Sequence, residues 1–218
     1  MFGKDAIVIS LKLFIITAVA ALCLATANKM TFDTIQENSI KTEQEALREV
    51  LPAGEKFEST EGSAVAVEGV TVEKVNVAMA GDKVVGFVVT AVSNAGYGGD
   101  IKVVVGIDKD LAVTKVKILE SSETAGLGAN ASKPGFIDQF NGAKENLTVV
   151  KGAASENQIS AISSATITSK AVTACVNAAL EVAGEKVNSG STEKIEEKVK
   201  AEEEIKQQTK EQIEGGAR

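Results

Sequence analysis

The sequence predicts an α+β chain: an N-terminal transmembrane helix, then a domain built on a twisted antiparallel sheet flanked by helices. Three observations carry this reading. Residues 6–27 read AIVISLKLFIITAVAALCLATA, with Lys12 as the sole charge, and are long enough to cross a bilayer as a helix. Between residues 64 and 121, Val-rich runs recur with turn signals between them, which marks successive hairpins rather than βαβ units. From 167 to 183, apolar residues return at three- and four-residue spacing, which marks a helix.

Lys4 and Lys12 precede the apolar run, and Lys12 can snorkel to the headgroups. The positive-inside tendency keeps the N-terminus in the cytoplasm. The rest of a single-pass chain then lies on the extracytoplasmic side of the cell membrane. Ala25-Thr26-Ala27 is also an A-x-A cleavage site, and a signal peptide would export the same residues. Thr34 to Leu51 predicts a helix with Ala46, Leu47, Val50 and Leu51 on one side, stopped at Pro52-Ala53-Gly54. Residues 64–79 alternate in part, and Ala80-Gly81-Asp82-Lys83 offers a turn. VVGFVVTAV at 84–92 predicts a buried strand, and IKVVVGID at 101–108 another. Lys109-Asp110 turns the chain into LAVTKVKILES at 111–121. The helix over 167–183 ends at Gly184. From Ser189 the composition becomes dense in charge, which reads as a solvated helix or a docking helix for a partner. The expected division is an anchor at 1–28, a juxtamembrane helical segment at 29–62, a folded domain at 63–186 and a charged tail at 187–218.

Composition narrows the chemistry. Of 218 residues, 44% are hydrophobic, enough for a core, and the net charge of −7 argues against nucleic acid. There is no histidine, which removes Ser-His-Asp and Cys-His catalysis and His-ligated zinc. Two cysteines, one of them in the apolar N-terminal run, cannot hold an iron–sulfur cluster. No metal site and no catalytic residue of the protein's own are expected, so redox work here needs an organic cofactor.

The stretch AISSATITSKAV, residues 161–172, crowds Ser163, Ser164, Thr166, Thr168 and Ser169 at the start of the predicted helix. Ser and Thr cap helices, and a helix N-terminus also accommodates phosphate. A self-activated nucleophile needs a base. No histidine supplies one, and an S-x-x-K arrangement ending at Lys170 would need a hydroxyl at 167, which is Ile. A hydroxyl that another enzyme modifies needs no local base.

AISSATITSKAV resembles the flavin-attachment motif of the FMN-binding domain found in the G subunit of Rnf-type ferredoxin:NAD oxidoreductases and in the C subunit of the sodium-pumping quinone reductase. That motif runs roughly D-x-x-[ST]-G-A-[TS]. Here Ser160 stands in the Asp place and Ser164 in the Gly place. GYGGDIKVVVGID at 96–108, ETAGLGAN at 123–130, FIDQF at 136–140 and NKMT at 28–31 are similar to the same family in the same order, with Ala125 in a Pro place. The size and single N-terminal span resemble the Rnf G subunit most. The resemblance implies FMN joined covalently, through a phosphodiester, to Thr166 by a separate flavin transferase. It implies that Ser163, Ser164, Ala165 and Thr168 surround the phosphate and that Glu123, Thr124, Leu127 and Gly128 wall the ring. It implies an electron relay among the other subunits of a membrane complex that moves sodium ions or protons. Two rivals are a free-standing exported flavin reductase and a non-redox envelope protein with a degenerate, unflavinylated domain.

Overall fold

In the computed structural model, which describes residues 4–60, 65–67, 69–144 and 146–189, helix α1 spans Lys4–Val50 without a break. The helix expected over 34–51 is the end of this longer one. Up to Gln44 the chain is a unit of its own. Its Ile7–Phe32 stretch is long and apolar enough to cross a membrane, and none of it is buried against protein. Thr17, Thr26 and Thr31 return their hydroxyls to carbonyls a turn back, so their polarity is satisfied inside the helix.

The second unit runs from Glu45. Its sheet contains β1 (Lys56–Thr60), β2 (Val65–Val67), β3 (Val70–Ala80), β4 (Lys83–Ser93), β5 (Ile101–Asp108) and β6 (Val113–Ser121). The order is β1-β3-β4-β5-β6, all antiparallel, with β2 also paired to β3. Strand β4 is central, and Gly86 to Ala91 are buried without interruption. That is why its sequence is a continuous apolar run rather than an alternation. Segment 29–62 thus supplies the end of α1 and then β1, whose sequence KFEST carries no strand signal. A second, parallel pair, β7 (Thr148–Val150) with β8 (Gln158–Ser160), lies outside the sequence expectation as well.

Short helix α2 (Pro134–Ile137) and long helix α3 (Thr166–Asn188) complete the fold. α3 packs across β4 and β5, and Val172, Val176 and Ala179 join Phe87, Val89, Val105 and Ile107 in the main core. Gly184 does not end α3. The helix continues to Asn188, and the site of a Cβ on Gly184 is almost open space, so nothing there requires a glycine. The tail expected at 187–218 lies outside the described residues from 190 onward.

Candidate functional site

Three loops meet at the N-terminus of α3: residues 94–100 after β4, 122–127 after β6, and 161–165 before α3. The side chains that join them explain the glycines. Glu123 follows β6, and its Oε1 accepts the backbone N–H of Tyr97 at 2.7 Å and of Gly98 at 3.3 Å. A Cβ on Gly98 would overlap the Ser122 carbonyl, and one on Gly128 would overlap the Glu123 carboxylate and the Thr168 hydroxyl. These glycines are needed because backbone and carboxylate approach too closely for a side chain.

The junction encloses a cavity of about 380 Å³ lined by Glu123, Thr124, Leu127, Gly128, Ser164, Ala165, Thr166 and Thr168. The structure therefore gathers every residue singled out from sequence except Ser163, which is exposed and outside the lining. It adds two that sequence reasoning missed, Tyr97 and Ile167. Tyr97, Leu127 and Ile167 are 72%, 42% and 53% exposed, and outside α1 they are the large apolar side chains left uncovered among the described residues. All three border this one cavity.

Thr166 is the first residue of α3, half-buried, and its hydroxyl has no partner among the described residues. Ala165 is the N-cap, with no side-chain cap. The cluster's hydroxyls thus do not cap the helix, contrary to the ordinary expectation for Ser and Thr there. The first helical bond runs from Ser169 N–H to the Ala165 carbonyl at 3.0 Å, so the N–H groups of Thr166, Ile167 and Thr168 have no helical acceptor. Thr168 is 1% exposed, lines the cavity and has no hydroxyl partner among the described residues. Its oxygen opens on the cavity, where a ligand atom can bond to it. Three free N–H groups, a helix dipole and this hydroxyl make a place for an anion at the foot of an apolar rim.

Ser169 and Ser160 have other work. Ser169 is fully buried; its Oγ accepts the Ile162 N–H at 3.0 Å and donates to the Ala165 carbonyl at 2.9 Å. Ser160 lies on β8 and donates to the Gly152 carbonyl at 2.6 Å, away from the cavity. Ser164 has a left-handed backbone, φ +62°. A larger groove of about 580 Å³ lies between α3 and β7, lined among others by Lys144, Lys170, Asn177 and Glu181. Of the stretch 161–172 it contains Lys170 alone. Cys175, on α3, is no nucleophile: burial pushes its thiol up to about 12, against a backbone hydrogen bond at Ser93 that works the other way.

Residues 96–181 match the family model of the FMN-binding domain. The chain is 41% identical over 186 residues to the G subunit of the Na(+)-translocating ferredoxin:NAD(+) oxidoreductase complex of Acetobacterium woodii, covering 80% of this chain and 89% of that one. It is 34% identical over 164 residues to the G subunit of the proton-translocating ferredoxin:NAD(+) oxidoreductase complex of Clostridium ljungdahlii, covering 75% and 83%. Among solved structures it is similar to the C subunit of the Na(+)-translocating NADH-quinone reductase of Parabacteroides distasonis, at 27% identity, 56% of this chain, 69% of that chain and a TM-score of 0.43.

Proposed function

The chain belongs to the G subunits of ion-translocating ferredoxin:NAD(+) oxidoreductase complexes and carries an FMN-binding domain, and from this premise we propose that it is an electron-transfer subunit whose FMN is covalently bound to Thr166. The observation that carries the proposal is the meeting, at one cavity, of the Thr166 hydroxyl, three unpaired N–H groups and the unpartnered Thr168 hydroxyl. The residues suit the group. Thr168 and the N–H groups would hold the phosphate, whose diester keeps one negative charge for the helix N-terminus to balance. Leu127, Ile167 and Tyr97 would cover the apolar part of the ring, and Gly128 leaves room beside Glu123. FMN, when bound, supplies the reversible electron transfer that no side chain here offers.

Attachment itself asks little of this chain. The Thr166 oxygen would be the acceptor for the flavin's phosphorus. A transferase would supply a flavin dinucleotide, from which a nucleoside monophosphate would leave as the bridging bond breaks, and a base on the transferase would take the hydroxyl proton. This division of labour agrees with the absence of histidine from the sequence.

In this reading α1 anchors the protein through Ile7–Phe32, with the folded domain on the extracytoplasmic side and the other subunits of the complex as electron partners. The two relatives named for different ions leave sodium and protons both as coupling ions for the family. Co-expression with a flavin transferase tests the core of the proposal. The wild type is expected to give a fluorescent band in a denaturing gel and the added mass of FMN, and Thr166→Ala to lose both. A dark wild type, or a bright mutant, ends the assignment.

A further inference from the structure

The geometry points to Ser169 as a positioning residue that holds Ser164 in its left-handed shape and thereby aims the Thr166 hydroxyl for flavin attachment; the inference rests on the assignment of Thr166 above. Ser164 has φ +62°. In that region the Cβ crowds the following carbonyl, and only glycine adopts it freely. The Ser164 hydroxyl is exposed and has no partner among the described residues, so its own side chain does not secure the conformation. The hold must come from its neighbours.

Three hydrogen bonds supply it. The Ala165 N–H donates to the Ile162 carbonyl at 3.0 Å, closing a turn over Ile162–Ala165. From outside the turn, the Ser169 hydroxyl accepts the Ile162 N–H and donates to the Ala165 carbonyl, at 3.0 and 2.9 Å. One side chain thus clasps the first and last residues of the turn, with Ser164 enclosed between them. Ser169 is 0% exposed, so water does not compete for either bond. It belongs to α3, which is fixed against the sheet by the main core. The turn is therefore pinned to a rigid element.

Thr166 follows directly after the turn. Rotation at Ser164 would change how the chain enters α3, and with it the direction of the Thr166 hydroxyl and of the N–H groups beside it. The Thr168 hydroxyl lines the same cavity and marks where those groups converge. Without the Ser169 clasp, Ser164 would relax toward negative φ, and the acceptor hydroxyl would spend less time presented. Glycine at 164 would remove the cost at its source.

The test is a double-mutant cycle on the full chain, mixed with a flavin transferase and a flavin dinucleotide, and followed by gel fluorescence and intact mass. Ser164→Gly is expected to speed attachment about fivefold, the factor that relief of one left-handed residue allows. Ser169→Ala is expected to slow it about tenfold, the scale of one lost buried hydrogen-bonding group. The double variant is expected to run as fast as Ser164→Gly alone, because glycine needs no clasp, whereas independent effects would multiply to about half the wild-type rate. A general loss of stability would not be rescued by glycine, so this full recovery separates positioning from mere folding; melting temperatures of all four proteins accompany the rates. A double variant at about half the wild-type rate or slower, or a Ser164→Gly no faster than wild type, overturns the inference. Flavin mapped to Ser164 instead of Thr166 overturns it as well. A wild type that gains no FMN mass overturns the Thr166 assignment and this inference with it, and is recognised by the unmodified mass of every variant.

Discussion

One face of the sheet meets α3 and the other meets the last turn of α1, and the two contacts are made of different material. The α3 face is a continuous apolar layer in which Phe87, Val105, Ile107 and Val176 are essentially inaccessible to solvent. The α1 face has a smaller cluster, with Leu47, Val50 and Leu51 set against Ala78, Val88 and Val104. Polar bonds supplement it. Thr114 donates to the Val50 carbonyl, and Glu49 receives Lys115 and Lys117 of β6. Gly106 lets the Val50 carbonyl come close, since a Cβ there would overlap it. The same face buries two polar atoms, Asn76 Nδ2 and Thr90 Oγ1, that have no partner among the described residues. Thr166 is carried by the helix on the apolar face, where close packing fixes position. The last turn of α1, from Glu45 to Val50, meets the other face through a smaller apolar cluster and through ion pairs that salt and acid can loosen.

If that contrast is correct, damage to the α3 face should be the most severe. Phe87→Ala is expected to cost about 4 kcal/mol in urea unfolding, within the range for a fully buried aromatic, and to reduce flavin attachment because α3 loses its seat. Leu51→Ala removes a buried side chain from the smaller cluster, and is expected to cost about 3 kcal/mol while leaving the attachment rate at Thr166 near wild type. Equal loss of attachment in the two variants would mean that the faces are not independent. Thr90→Val should run the other way. It keeps the shape and removes a buried hydroxyl with no partner among the described residues, so a gain of about 1 kcal/mol is expected. A loss would show that the hydroxyl has a partner after all.

How far the sequence carried the fold follows the same contrast. β5 is readable to the residue, because its middle, Val103 to Ile107, is buried on both faces and reads as an apolar run, and SNAGYGGD and Lys109-Asp110 bound it. β1, KFEST, has neither run nor alternation; it becomes a strand by pairing with the edge of β3. The parallel pair β7–β8 depends on a register between segments with no local signal. At the site, Thr166, Glu123 and Leu127 are reachable through motif resemblance. Ile167 reads as a core position, since it continues the helical spacing, yet it is exposed; burial on α3 becomes regular only further along, as at Ala171 and Val172. Ser169 is one hydroxyl among five in sequence, and its role depends on a turn seven residues back being folded against it.

The smallest expected effect tests the polar fastening most directly. Hydrogen bonds from Lys115 and then Lys117 hold the Glu49 carboxyl below its ordinary 4.5, with burial opposing them weakly. A carboxyl depressed in the folded state contributes stability that is fully present above its unfolded value and is lost as pH falls through its folded value. The difference in unfolding free energy between wild type and Glu49→Gln should therefore be level around neutrality and shrink below about pH 4.5. Glu49 and Lys115 are each 42% exposed, so solvent screens the pair; the difference should stay under about 1 kcal/mol and fall further in high salt. Phe87→Ala should show no such dependence on salt or acid, because no charge is involved. Urea unfolding of both variants and wild type at about pH 7 and about pH 3, each at low and high salt, sets the two faces side by side. A Glu49→Gln difference that ignores acid and salt would mean that the last turn of α1 is held by its apolar side chains alone, and the contrast between the faces would then be one of area and not of kind.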